Sequence, residues 1–147
     1  MKRFVVCVCV AVLAMVSGLA FAQEDRAELD ALVERWTLAL NSEDIDGFLG
    51  CYCDDAIRIT YFPGSEPEVT EGMDELREAE EQAFEQYDYQ SMNLNYDEPV
   101  RYFPRLGNPT YIYPNAEIGY VDVFEFEYRR GGYRIIRQYL MPHPRAE

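Results

Sequence analysis

Asp122 and Arg58 are the charged residues whose neighbours make them candidates for chemistry. Strand-like alternation puts Asp122 on one face with Tyr120, Phe124 and Phe126, and Arg58 on one face with Thr60. A carboxylate held among aromatic rings has its pKa raised and can act as a base or an anchor. A guanidinium beside it can tune it or hold an anionic substrate. The same two residues can equally form an internal salt bridge that orders the fold, which is the plainer reading. Tyr52 is the third candidate for catalysis. Trp36, Tyr52, Arg58, Thr60, Tyr120, Asp122, Phe124 and Gln138 make up the candidate ligand-binding set.

Other chemistries lack their parts. The one histidine, His143, stands between Pro142 and Pro144 near the end of the chain, where prolines keep it outside regular structure. A serine triad, a cysteine–histidine dyad on Cys51 and a multi-histidine metal site therefore lack partners. The carboxylates are scattered rather than spaced as a calcium loop, so neither a metal nor a cofactor is expected. Cys51 and Cys53 are separated by one residue. A bridge across so short a loop would be strained, and buried free thiols are expected, with a redox or metal pair as the alternative.

The elements that must position these residues begin after a leader. Lys2 and Arg3 precede an apolar run from Phe4 to about Leu19, and Ala20-Phe21-Ala22 has the small-x-small pattern of a signal-peptidase site. Residues 1–22 are read as a signal peptide cut between Ala22 and Gln23. The expected product is a secreted or periplasmic domain, residues 23–147, with no membrane segment left. Its 125 residues (147 less 22) are one domain's worth of core. The leader takes away Lys2 and Arg3 only, so 27 acids face 11 bases and the net charge moves from −14 to −16. Such a surface repels nucleic acid and anionic lipid.

Leu29, Leu32, Val33, Trp36 and Leu40 recur at helical spacing, predicting a first helix over about 26–40. Asp44 is placed to cap a second helix whose buried face would be Gly47-Phe48-Leu49 and Tyr52. Ile57 and Ile59 mark a strand, and the 63–67 stretch a turn. Gly72 precedes a third helix with Leu76, Ala79, Ala83 and Phe84 on its apolar side and acids elsewhere. Four later stretches read as strand: 92–96, 100–103, 118–129 and 133–141. The hairpin turn Arg130-Gly131-Gly132 joins the last two. The layout is α+β, with three helices packed in the concave face of a strongly curved antiparallel sheet.

The helix break before Asp44-Ile45-Asp46, the phrase Cys51-Tyr52-Cys53-Asp54-Asp55-Ala56, the Glu71-Gly72 step and the final hairpin through Tyr133-Arg134-Ile135 carry a resemblance. In this order they resemble the nuclear transport factor two-like superfamily, in its SnoaL-like and ketosteroid-isomerase-like branches, over nearly all of residues 23–147. The resemblance implies a cystatin-like cone with an apolar cavity at its wide end. It also implies a range of roles from isomerases, cyclases and dehydratases to silent binding modules, so fold does not stand in for function. The isomerases' catalytic tyrosine, base and oxyanion aspartate would fall on Trp36, near Thr60 and near Phe124. Thr60 has no useful basicity and Phe124 no proton to give, which argues against that reaction. The leading expectation is an exported module that binds a small, mostly apolar molecule, with a homodimer through the outer sheet face as one assembly open to it. A cofactor-independent isomerase, cyclase or dehydratase is one alternative. A protein–protein module using the outer sheet face is the other.

Overall fold

The computed structural model describes residues 25–96, 99, 101–102, 108–115 and 119–143. The predicted cleavage point, Ile118, and Val100 and Phe103 of the 100–103 stretch lie outside them. Helix α1 spans 25–41 and buries Leu29, Leu32, Val33, Trp36, Ala39 and Leu40, the predicted stripe. The break that follows is a helix stop and restart. Glu43 takes a left-handed turn (φ 56°), and Asp44 then caps helix α2 (Ile45–Leu49) by accepting from Gly47 N at 3.0 Å.

Tyr52 is not on that second helix. The chain leaves α2 at Gly50 and Tyr52 opens strand β1 (Tyr52–Thr60). Strand β2 (Glu68–Glu71) returns beside it, and helix α3 (Gly72–Gln86) starts at Gly72, whose φ of 78° admits glycine readily. The predicted 92–96 strand is also corrected. Helix α4 (Tyr89–Met92) ends at left-handed Asn93, and 93–96 belongs to no strand. Side-chain bonds replace the missing ladder: Asn41 Nδ2 donates to Leu94 O at 2.8 Å and Leu94 N donates to Asn41 Oδ1 at 2.9 Å.

Strands β3 (Arg101–Tyr102), β4 (Thr110–Asn115), β5 (Tyr120–Arg129) and β6 (Gly132–Pro142) complete a sheet of order β2-β1-β6-β5-β4-β3. Its neighbours are antiparallel except β1 and β6, which run parallel because β1 arrives from a helix rather than from a hairpin. Arg130 (φ 48°) and Gly131 (φ 82°) form the two-residue turn between β5 and β6, the positive-φ pair that suits twisted strands.

Cross-strand register decides which residues look inward. Asp122 faces Tyr113 and Leu140, Phe124 faces Tyr111 and Gln138, and β1 sets Arg58 beside Gln138 and Thr60 beside Leu140. All therefore share the helix-covered face. Its narrow end is filled by rings: Trp36 lies 5.0 Å from Phe124 and 5.1 Å from Tyr96, both edge-on, and Tyr111 lies 5.3 Å from Phe126.

Candidate functional site

The interior polar groups fall into two sets. The first is a chain of hydrogen bonds with one direction. Trp36 Nε1 donates to Tyr52 Oη (2.9 Å), Tyr52 donates to Gln138 Oε1 (2.6 Å), and Gln138 Nε2 donates to Asp122 Oδ1 (2.9 Å). Tyr96 donates to the other oxygen, Oδ2, at 2.6 Å. An indole can only donate. It forces the Tyr52 proton onward, fixes which way the Gln138 amide points, and so makes Asp122 the acceptor at the end of the line. Burial pushes the Asp122 carboxyl up to about 6; the Tyr96 and Gln138 bonds and the nearby Arg58 charge pull it back, and Glu80 opposes them. The phenols of Tyr52 and Tyr96 are raised further, chiefly by burial, and stay protonated donors. Both Asp122 oxygens are engaged and the residue is 1% exposed, so a substrate would have to break this chain to use it as a base.

The second set is Arg58, Glu80 and Tyr89. The expected Asp122–Arg58 ion pair is not formed. Arg58 Nη1 meets Glu80 Oε2 of α3 at 2.5 Å, with the two side chains 12% and 4% exposed. Helix α3 reaches over β1 and supplies a closer carboxylate, while Asp122 is taken by Tyr96 and Gln138. Burial, then the Glu80 charge, pushes the Tyr89 phenol up to about 12. Arg58 Nε is buried and has no hydrogen-bond partner among the described residues.

Exposure increases along β5 and β6 past the buried Asp122 and Gln138: the next inward positions, Tyr120 and Leu140, are part-exposed, as are Arg58 and Thr60 on β1 and Phe84 and Tyr89 beside them. Arg58, Gln138 and Asp122 make up the floor of this face, and Thr60, Leu140 and Tyr120 its rim. Of the predicted set, Trp36, Tyr52, Gln138 and Asp122 are brought into one hydrogen-bonded chain and Phe124 packs against Trp36. Arg58 belongs to the second set, and Thr60 and Tyr120 stand at the rim. Tyr96, Glu80 and Tyr89 were not in it. Glu80 lies one helical turn from Leu76 and one from Phe84, so it shares their face, and that spacing was the available signal.

A separate groove of about 660 Å³ runs outside the cone between α1 and residues 93–96, with Asp30, Glu34 and Leu38 on one side and Asn95, Tyr96 and Tyr113 on the other. Cys51 and Cys53 are buried free thiols, their pKa values raised by burial. His143 follows β6 outside regular structure, its N–H donating to Gly119 O at 2.8 Å. Among the described residues no three His, Cys, Asp or Glu side chains converge on a metal position.

No protein-family model matches the sequence, and no curated protein matches it. Solved structures do. An NTF2-like protein with a cystatin-like fold from Novosphingobium aromaticivorans superposes with a TM-score of 0.63 at 13% identity, covering 91% of this chain and 92% of that one. A cystatin-like-fold protein of unknown function from Nostoc punctiforme gives 0.58 at 15% identity, covering 82% and 92%. A ketosteroid isomerase-like protein from Erwinia carotovora gives 0.55 at 20% identity, covering 78% and 92%. The chain has the NTF2-like, cystatin-like fold. At these identities the likeness is one of fold, and function has to come from the side chains.

Proposed function

We propose that this chain is an exported binding module that takes a small, mostly apolar molecule through the open end of the cone. The observation that carries the reading is the buried polar floor lying one inward-facing residue below the part-exposed rim of Thr60, Tyr120 and Leu140. Pockets of this kind pair apolar walls with a few convergent polar groups. Binding is favoured over catalysis because Asp122, the best candidate base, already has a donor on each oxygen. Ethylnaphthalene (the β-isomer) tests it as an apolar probe. Saturable one-to-one binding that is weakened at least tenfold by Leu140→Trp, which fills the mouth, is the expected result. Binding that ignores Leu140→Trp, or no binding, overturns it. Export is tested by mass spectrometry of the secreted product, which should begin at Gln23; an intact Met1 in a membrane fraction contradicts it.

A further inference from the structure

The groove outside the cone carries polar groups that the floor does not use. Asp30 and Glu34 stand one helical turn apart on α1 and line it together with the exposed Leu38. Tyr111 Oη donates to Asp30 Oδ1 at 2.7 Å, which fixes that carboxylate, and Arg26 Nε lies 3.8 Å from its Oδ2. Glu34 has neither a hydrogen bond nor an ion pair among the described residues. Tyr113, on the opposite wall, points to a ligand independently of the acids. It is 4% exposed, and its ring is held edge-on by Tyr96 (5.3 Å), Tyr111 (5.9 Å) and Phe124 (5.9 Å). Its hydroxyl has no hydrogen-bond partner among the described residues, and it keeps some solvent contact, unlike the sealed Arg58 Nε. With the ring enclosed by three others, the hydroxyl is the end of Tyr113 that reaches the groove. Burial, then the Asp30 charge, hold this phenol above its usual value, so it stays protonated and lies within the field of Asp30.

Charge decides the kind of ligand. No Lys, Arg or His is among the described residues that line the groove, and the chain's net charge of −14 draws cations towards it. An anion would meet two carboxylates. A bare metal ion is poorly served, because no three His, Cys, Asp or Glu side chains converge among the described residues. A primary ammonium carries three N–H donors, one each for Asp30, Glu34 and the Tyr113 hydroxyl oxygen, and aromatic faces favour a positive charge beside them. Leu38 and Leu94 offer apolar surface next to these acceptors, and the volume of about 660 Å³ is that of a small-molecule site. We propose that the outer groove binds a small organic primary ammonium, with its nitrogen among Asp30, Glu34 and Tyr113 and its apolar body along Leu38 and Leu94.

Calorimetric titration at neutral pH and low salt tests this with two probes of one shape, the β-isomers of naphthylethylamine and naphthylacetate. The amine should bind saturably, one to one, and the carboxylate should not. Glu34→Gln should weaken the amine about fivefold, the upper range for a solvent-exposed ion pair, and Tyr113→Phe by a similar factor, the size of one hydrogen bond. Glu85→Gln removes the same charge from the exposed face of α3 and should change little, and Leu140→Trp, at the rim of the cone, should leave amine binding in place. No saturable amine binding, equal binding of the carboxylate, or equal losses in Glu34→Gln and Glu85→Gln overturns the groove site. Loss of amine binding in Leu140→Trp also overturns it, and moves the amine into the cone. Glu34 is exposed, so its variant decides the matter if Tyr113→Phe does not fold.

Discussion

The Asp122 chain and the Arg58–Glu80 pair lie side by side on one floor, yet they are finished to different degrees. In the first, every polar side-chain atom takes part in at least one hydrogen bond, from the Trp36 indole to the Asp122 carboxylate. In the second, a buried ion pair leaves Nε without one. A fully satisfied buried network makes its members rigid and fixes a single arrangement. A partly satisfied one carries a standing cost. Perturbed titration alone would have chosen Asp122 as the working residue. Counting hydrogen bonds shows both of its oxygens already taken.

The largest expected break in this contrast comes from halving the ion pair. Arg58→Met leaves Glu80 buried and uncompensated and should cost about 3–5 kcal/mol in urea unfolding, whereas Arg58→Met with Glu80→Leu should recover most of it. Equal stability of the single variant and the wild type would mean that the pair is not buried in solution.

A smaller effect sharpens the Asp122 side. Its folded pKa, about 6, lies above the usual carboxylate value of about 3.9. Between those two values the folded state keeps a proton that the unfolded state has shed. The stability this group contributes is therefore fully present below about pH 4 and is lost as pH rises through 6, a change on the order of 2–3 kcal/mol. Unfolding of wild type and Asp122→Asn across that range should show the difference between them changing with pH in this sense. Parallel curves would place Asp122 in water.

The smallest effect tests the direction of the chain. Tyr52→Phe removes one hydroxyl and strands both the Trp36 N–H and Gln138 Oε1, at a cost of about 2 kcal/mol. Trp36→Phe removes the starting donor and lets Tyr52 keep its bond to Gln138. Because the indole also fills core volume, the comparison is read from the amide exchange of Gln138 rather than from stability. Faster exchange is expected in Tyr52→Phe and little change in Trp36→Phe.

Much of this was legible in the sequence. Helical spacing of Leu29, Leu32, Val33, Trp36 and Leu40 defined the buried stripe of α1, and Asp44 was visible as a cap. Period-two alternation placed Asp122 and Phe124 on the inner face, because register through a half-buried sheet is tightly specified. What could not be read was which charged group Arg58 would choose. Glu80 looks like one acid among many on α3, and only the approach of α3 to β1 sets it against Arg58. Leu94 and Tyr96 were expected as strand and are buried as their alternation suggests, but the backbone there is held by Asn41 across 53 residues of sequence. Local pattern carries burial; it does not carry the partner.

The most direct test of the binding reading is a crystal structure of the protein with β-ethylnaphthalene bound. The account predicts the rings against Thr60, Tyr120 and Leu140, with the bonds from Trp36 through Tyr52 and Gln138 to Asp122 unchanged. A ligand seated in the outer groove beside Leu38 and Asn95, or a broken chain with Tyr96 displaced from Asp122, would contradict it.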